Sequence, residues 1–284
     1  TLDRGTPSTP ASAPDMTAAT DSGANSDDVT NDTTPSFTIP APGVGETPSL
    51  YIDGVKVAAT FDALTNTLTP TNPLAEGAHS ISTSLTDASG NESAQSSALA
   101  IVIDTSGPSA PNISAVPENS NGGVNATEDD DGTAIQVSVP NNAVAGDTLT
   151  LNVGGQTVSY TVLANDVGST ANVPVSAPTL AALSDGSVAV TATLTDQAGN
   201  VSPTSAPFNF TLDRGAPAKP SVASAPENAG GGINAAEASD GTTVNVALPT
   251  GTQSGDRINL SVGGVLVNYL VTAADITAGV SAIP

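Results

Sequence analysis

The sequence predicts an all-β protein made of tandem small sandwiches, and three observations carry that prediction. Apolar residues alternate with a period of two, Gly and Asn turn signals divide the alternating runs at short intervals, and the same motifs return about every hundred residues. Thr1-Leu-Asp-Arg-Gly-Thr-Pro7 is echoed by Val102-Ile-Asp-Thr-Ser-Gly-Pro108 and Thr211-Leu-Asp-Arg-Gly-Ala-Pro217. The junction aspartates Asp3, Asp104 and Asp213 are 101 and 109 residues apart, and Thr86-Asp-Ala-Ser-Gly-Asn91 and Thr195-Asp-Gln-Ala-Gly-Asn200 also lie 109 apart.

A shift of 109 superposes the segment after Asp104 on the last part of the chain without a gap. It pairs Pro117-Glu118-Asn119 with Pro226-Glu227-Asn228, Gly146-Asp147 with Gly255-Asp256, and Tyr160 with Tyr269. The expected domains are therefore residues 8–104, 105–213 and 214–284, with residues 1–7 ending a preceding repeat and its linker. Pro284 is the equivalent of Val175, so the third repeat lacks the counterpart of residues 176–212. The expectation is an excised segment of a longer protein, whose third domain leaves apolar strand faces uncovered.

Each run reads as a half-buried strand: Ile135, Val137, Val139; Leu149, Leu151, Val153; Val188, Val190, Ala192, Leu194; Phe208, Phe210, Leu212. Val153-Gly154-Gly155, Val262-Gly263-Gly264 and Ile52-Asp53-Gly54-Val55 read as hairpin turns. Seven strands are expected in the second repeat, around Ile113 and over 133–139, 147–153, 157–162, 171–175, 187–195 and 207–213. That count in about 109 residues predicts immunoglobulin-like Greek-key sandwiches arranged end to end. The first repeat has the same plan with other loops, and no segment reads as a helix.

Composition narrows the function. Charged residues are 12% of the 284, and 28 Asp and Glu against 5 Lys and Arg give a net charge of -23. Neither nucleic acid nor an anionic membrane attracts such a surface, whereas cations are drawn to it. There is no Cys and no Trp, so disulfides, zinc ribbons and cysteine nucleophiles are excluded, and any bound metal is a hard one. No apolar run is long enough to insert in a membrane, and none reads as a signal peptide.

Carboxylates gather at two kinds of place. The first inter-strand loop holds Asp21, Asp27, Asp28 and Asp32 in repeat one, then Glu118, Glu128, Asp129, Asp130 and Asp131 in repeat two, and Glu227, Glu237 and Asp240 in repeat three. The other kind combines the junction aspartates with the turns that offer Asp87 with Asn91 and Asp196 with Asn200. In alternating strands the first loop and the exit of one repeat lie at the end that meets the linker and the sixth-to-seventh turn of the next. The loop of repeat one, Asp104 and the Asp196/Asn200 turn are thus expected to converge. Carboxylates packed this closely shift their pKa upward unless a cation sits among them. Calcium suits an all-oxygen set of Asp, Glu, Asn, carbonyls and water. The candidate ligands are Asp21, Asp27, Asp28, Asp32, Asp87, Asn91, Asp104, Glu128, Asp130, Asp131, Asp196, Asn200 and Asp213.

No enzyme is expected. The sole histidine, His79, alternates with Ile81, Thr83 and Leu85 on a strand, and three Tyr without Trp leave no sugar-stacking surface for paired carboxylates to serve.

The run Asp21-Ser-Gly-Ala-Asn-Ser-Asp27-Asp28-Val-Thr30-Asn31-Asp32-Thr-Thr-Pro35, with Tyr51-Ile-Asp-Gly54, Leu85-Thr-Asp-Ala-Ser-Gly-Asn91 and Ile103-Asp-Thr-Ser-Gly-Pro108, resembles the bacterial Ig-like repeats of giant type I-secreted biofilm-associated adhesins, of RTX/Bap type. Repeats two and three resemble a sibling subtype. The resemblance implies a rod on the bacterial cell surface, stiffened by Ca2+ near its junctions, with neighbouring repeats as partners. Arg4 and Arg214 follow two junction aspartates where Asp104 is followed by Thr105, a departure that weakens calcium binding there. Rival readings are a module that binds a polysaccharide or host receptor, calcium-dependent homophilic adhesion, and an accessory domain of a secreted enzyme.

Overall fold

The structure is a computed structural model that describes residues 4–24, 26–216, 218–235 and 241–284, except the side chain of Asn121. Asp3, Glu237 and Asp240 lie outside the described residues.

In the most regular strands, such as Thr133–Ser138, Thr148–Val153 and Thr170–Val175, the alternation of the sequence becomes burial of every second residue. Among the described residues repeat one has nine strands: β1 (Asp15–Met16), β2 (Val29–Thr30), β3 (Phe37–Thr38), β4 (Thr47–Ile52), β5 (Val55–Val57), β6 (Ala59–Asp62), β7 (Thr67–Pro70), β8 (Gly77–Thr86) and β9 (Leu99–Ile103). They form two sheets, ordered β1-β3-β7-β6 and β2-β9-β8-β4-β5. Phe37, Leu50, Leu68, Ile81 and Ile103 fill the space between them. Without Trp the core is built from many small contacts, and Phe37 is its largest fully buried side chain.

Repeat two begins with β10 (Asn112–Ala115), then β11 (Val124–Asn125), α1 (Ala126–Asp131), β12 (Thr133–Ser138), β13 (Thr148–Val153), β14 (Gln156–Thr161), β15 (Thr170–Val175), α2 (Ala177–Ala181), β16 (Gly186–Thr195) and β17 (Phe208–Asp213). The seven long strands lie within a residue or two of the expected ranges. Repeat three has β18 (Ser221–Ser224), β19 (Val244–Ala247), β20 (Arg257–Val262), β21 (Val265–Leu270), α3 (Ala273–Ala278) and β22 (Val280–Ile283).

The chain divides into two compact units, residues 1–117 with 131–210 and residues 118–130 with 211–284. In the first, β12 lies between β10 and β15, and β13 lies between β14 and β16. In the second, β19 lies between β18 and β22, whereas β20 pairs with β21 alone among the described residues.

Turn chemistry sets the register. The pairs Ile52↔Val55, Val153↔Gln156 and Val262↔Val265 close two-residue hairpins. Both central residues have positive φ in each: 53° and 78° at Asp53-Gly54, 56° and 93° at Gly154-Gly155, 58° and 85° at Gly263-Gly264. That is the type I′ geometry that follows the twist of the strands.

The expectation of no helix is corrected by three short α-helices among the described residues. Each is one or two turns long, too short for a 3.6-residue period to show in the sequence. The third carries a capping box, in which the Thr272 hydroxyl accepts from the Asp275 amide and the Asp275 carboxylate accepts from the Thr272 amide, and it ends at Gly279 with φ 68°.

Candidate cation site at the first repeat junction

The carboxylates of the first acidic loop have two fates. Asp27 and Asp32 form turns, their Oδ1 atoms accepting the Val29 amide at 3.1 Å and the Thr34 amide at 2.8 Å. Asp21 is 4% exposed; its Oδ2 accepts the Ser26 amide, and its buried Oδ1 has no partner. Asp28 sits at φ 60°, and burial, followed by the charges of Asp21, Asp15 and Asp27, pushes its carboxyl above 3.8.

The same loop grips repeat two. The Ala24 amide donates to the Gln197 carbonyl at 3.1 Å, the Ser22 hydroxyl donates to the Ala198 carbonyl, and Asn200 Nδ2 donates to the Asp104 carbonyl at 2.8 Å. Gly23 has φ 73°, and a Cβ there would stand 2.0 Å from the Gln197 oxygen, so only glycine permits this approach. Loop, linker and turn therefore meet at one junction.

The two Thr-Asp-x-x-Gly-Asn turns are built alike. Oδ1 of Asp87 accepts the Asn91 amide at 2.9 Å, and Oδ1 of Asp196 accepts the Asn200 amide at 2.8 Å; the Asn side chains donate to the two Oδ2 atoms. In the first turn the Asn91 contacts hold the Asp87 carboxyl below 3.8. Each Asp–Asn pair thus shapes its turn first.

Asp147 is the acid that sequence reasoning missed. It is 1% exposed; Oδ2 accepts the Val144 amide at 2.8 Å, and Oδ1 is buried without a partner. Burial pushes its carboxyl above 3.8 against the pull of the Val144 amide, and the charges of Asp196 and Asp104 push it further. The Gly-Asp pair shared with Gly255-Asp256 at 109 residues was the available signal, as was the motif that places Glu46 on the Gly43 amide and Asp256 on the Gln253 amide.

The second acidic loop is arranged differently. Glu128 Oε2 accepts the Asn125 amide at 2.9 Å, and Asp129 forms an ion pair with Arg214 at 3.3 Å. Asp130 and Asp131 are exposed. Asp213 Oδ1 accepts the Gly215 amide, and its side chain lines an open cavity of about 210 Å³ with Asn125 and Asp256.

Among the described residues no three His, Asp or Glu side chains form a ready metal cage. The buried, unpartnered oxygens of Asp21 and Asp147 nevertheless fit a hard cation, because an ionised oxygen without a donor is costly to bury. Elsewhere, His79 Nδ1 pairs with Asp53 at 2.8 Å and Nε2 with the Ala75 carbonyl at 2.9 Å. Glu92 takes the Ser84, Lys56 and Tyr51 donors on the outer sheet face, which hold its carboxyl down at about 2. Both groups tie strands together.

No curated protein matches the chain. Solved structures similar to it include a 1.5-MDa bacterial ice-binding adhesin concerned with host cell surface retention, at 23% identity over 95% of this chain and 86% of that one, TM-score 0.35. The fibronectin(III)-like modules of Clostridium thermocellum CbhA match at 9% identity over 65% of this chain and 88% of that one, TM-score 0.40. A tetra-tandem repeat from the extending region of a large adhesion protein matches at 18% identity over 95% and 65%, TM-score 0.29. Over residues 8–105, the first repeat, the chain matches the family of bacterial Ig-like domains.

Proposed function

We propose that the chain is a structural extender segment of a large bacterial cell-surface adhesin, exported by type I secretion and serving cell adhesion and biofilm formation, with calcium stiffening the junction of repeats one and two. The observation that supports this reading best is Asp147, a buried carboxylate with one unpartnered oxygen beside Asp104 and Asp196, where successive repeats meet. Asp147, Asp104, Asp196 and carbonyls of the linker would hold the cation, with Asp21 and Asp28 as a neighbouring pair. The ion would supply positive charge that lets these groups stay ionised while packed together. No catalytic role is assigned.

The test is thermal unfolding of the intact chain in EDTA, in calcium and in magnesium. A site bound only in the folded state adds about 2.7 kcal/mol at a hundred times its dissociation constant, so calcium should raise Tm where magnesium does not. Asp147→Asn sharpens the result. Because folding raises this carboxyl's pKa, its contribution to stability is greatest below pH 3.8 and is lost as pH rises through the folded value. Near pH 7 the Asn variant should be more stable than the parent in EDTA and should not respond to calcium. A parent chain whose Tm ignores calcium would sink the reading.

A further inference from the structure

We infer that His79 is a proton-operated clamp: its doubly protonated ring holds the strap of residues 71–76 against the β4–β5 hairpin, and loss of one proton releases the strap. The inference is independent of the cation reading, because neither the ring nor its partners belong to the candidate ligands.

The strap joins β7 of one sheet to β8 of the other. Its Leu74 is buried in the core of repeat one, and the Leu74 amide donates to the Thr33 carbonyl at 2.7 Å. His79 has the parity of the core residue Ile81 on β8 and lies opposite Ile101, with only 12% of its side chain exposed. Its Nδ1 stands 2.8 Å from Asp53 Oδ2, and its Nε2 stands 2.9 Å from the Ala75 carbonyl oxygen. Neither partner donates. The Asp53 carboxyl is held below 3.8, first by this bond and then by the Ser80 amide, and a backbone carbonyl is an acceptor in every state. A neutral imidazole carries one N–H and one lone pair, so it satisfies one of the two oxygens; only the imidazolium donates to both.

Asp53, from the hairpin, is the charged group that faces the ring. From the strap the contact is the Ala75 carbonyl, and Asn72, Pro73 and Leu74 carry no charge; from β9 the neighbour is Ile101. Glu76 turns instead to the Thr105 amide at 3.0 Å and hydroxyl at 2.6 Å, and Lys56 turns to Glu92. Burial opposes the charged ring, but the Ala75 carbonyl and the Asp53 carboxylate outweigh it, so the ring titrates above 6.5. When one proton leaves, Asp53 keeps the remaining N–H, because a bond to a carboxylate is the stronger. Nε2 then turns a lone pair toward the Ala75 oxygen, and the strap loses its hold. Beside it lies a cavity of about 220 Å³ walled by Ile52, Val57, Pro70 and Leu74, which gives the strap room to move. Glu76 follows Ala75 in the chain, so release of the strap also loosens the anchor of Thr105, the linker residue after Asp104.

His79 is the sole histidine, so the C2 proton of one imidazole reports its titration by NMR in the intact chain. In EDTA its midpoint should lie above 6.5, and the Ala75 carbonyl carbon should shift with the same midpoint, which a ring that merely fills space would not cause. Asp53→Asn keeps a residue that tolerates the φ of 53° and should lower the midpoint. Because folding raises the ring's pKa, its contribution to stability is fully present below 6.5 and is lost as pH rises through the folded value. From about pH 6 to about pH 9 the Tm of the parent should therefore fall further than that of His79→Gln, whose side chain does not titrate. A midpoint at or below 6.5, or an Ala75 carbonyl that does not follow the ring, overturns the inference whether or not the variants fold. An equal fall of Tm in parent and His79→Gln overturns it as well.

Discussion

Val153 and Val262 stand 109 residues apart, each the last residue before the same two-glycine turn, and each with Leu two residues earlier. Val153 is 0% exposed and Val262 is 50% exposed. The hairpins are equally well formed, because the turn needs only two residues free to take positive φ. Burial is a property of the sheet: β13 has strands on both sides, and among the described residues β20 pairs with β21 alone. Local sequence thus fixes where a strand turns, and its neighbours fix how much each side chain contributes.

Three matched substitutions can break or sharpen this contrast. The largest expected difference is between Leu151→Ala and Leu260→Ala. Emptying a fully packed site costs about 2–5 kcal/mol, whereas half-buried Leu260 should cost less than half as much as its counterpart. Denaturant unfolding with amide exchange read repeat by repeat would show it, and equal costs would refute the role given to β16.

The second pair is Gly154→Ala and Gly263→Ala. Both glycines have nearly the same φ, so left-handed strain of about 1 kcal/mol applies to each. Only at Gly154 does the new methyl also meet side chains, Leu183 Cδ2 at 2.9 Å and Val188 Cγ1 at 3.2 Å, and at Gly263 it meets nothing within 4 Å. The first substitution should therefore lower Tm further, and a larger loss at Gly263 would contradict the difference in packing.

The smallest effect is expected from Tyr160→Phe and Tyr269→Phe. The Tyr160 hydroxyl donates to Asp166 at 2.8 Å and that of Tyr269 to Asp275 at 3.0 Å. Asp166 is 9% exposed and Asp275 is only half-buried, so losing the donor should cost about 1 kcal/mol at the first and less at the second. The Asp275 carboxyl is held below 3.8 chiefly by the Thr272 amide and hydroxyl, with Tyr269 adding to them. Its share of stability is present above pH 3.8 and is lost as pH falls through the folded value. An acid titration of unfolding should show the Tyr269→Phe variant losing less stability over that interval than the parent.

The junctions carry a second contrast. Thr105 follows Asp104, and near that linker Asp21 and Asp147 each keep a buried oxygen without a donor; Arg214 follows Asp213 and pairs with Asp129 Oδ2, although Asp129 Oδ1 is likewise buried without a partner. The guanidinium brings a fixed positive charge to one Asp129 oxygen at the second linker, a residue type that the first linker lacks at the matching position. The swap was readable in the sequence as one residue after an aspartate.

Much of the fold was legible for the same kind of reason. Period-two alternation is imposed by the pleat, so β12, β13 and β16 could be placed within a residue or two, and Asp-Gly or Gly-Gly between such runs admits little besides a type I′ turn. The convergence of the Asp21 loop, Asp104 and the Asp196 turn was legible from strand parity. Asp147 was not. It reads as one more turn aspartate until the Val144 amide, the linker and the Asp196 turn enclose it, and burial is a sum over residues distant in the chain. The sequence by itself determined the strands, their turns and the repeat period, because these depend on neighbours in the chain. The tertiary structure decided which carboxylate oxygens lost water and donors, because that depends on what packs against them from elsewhere in the chain.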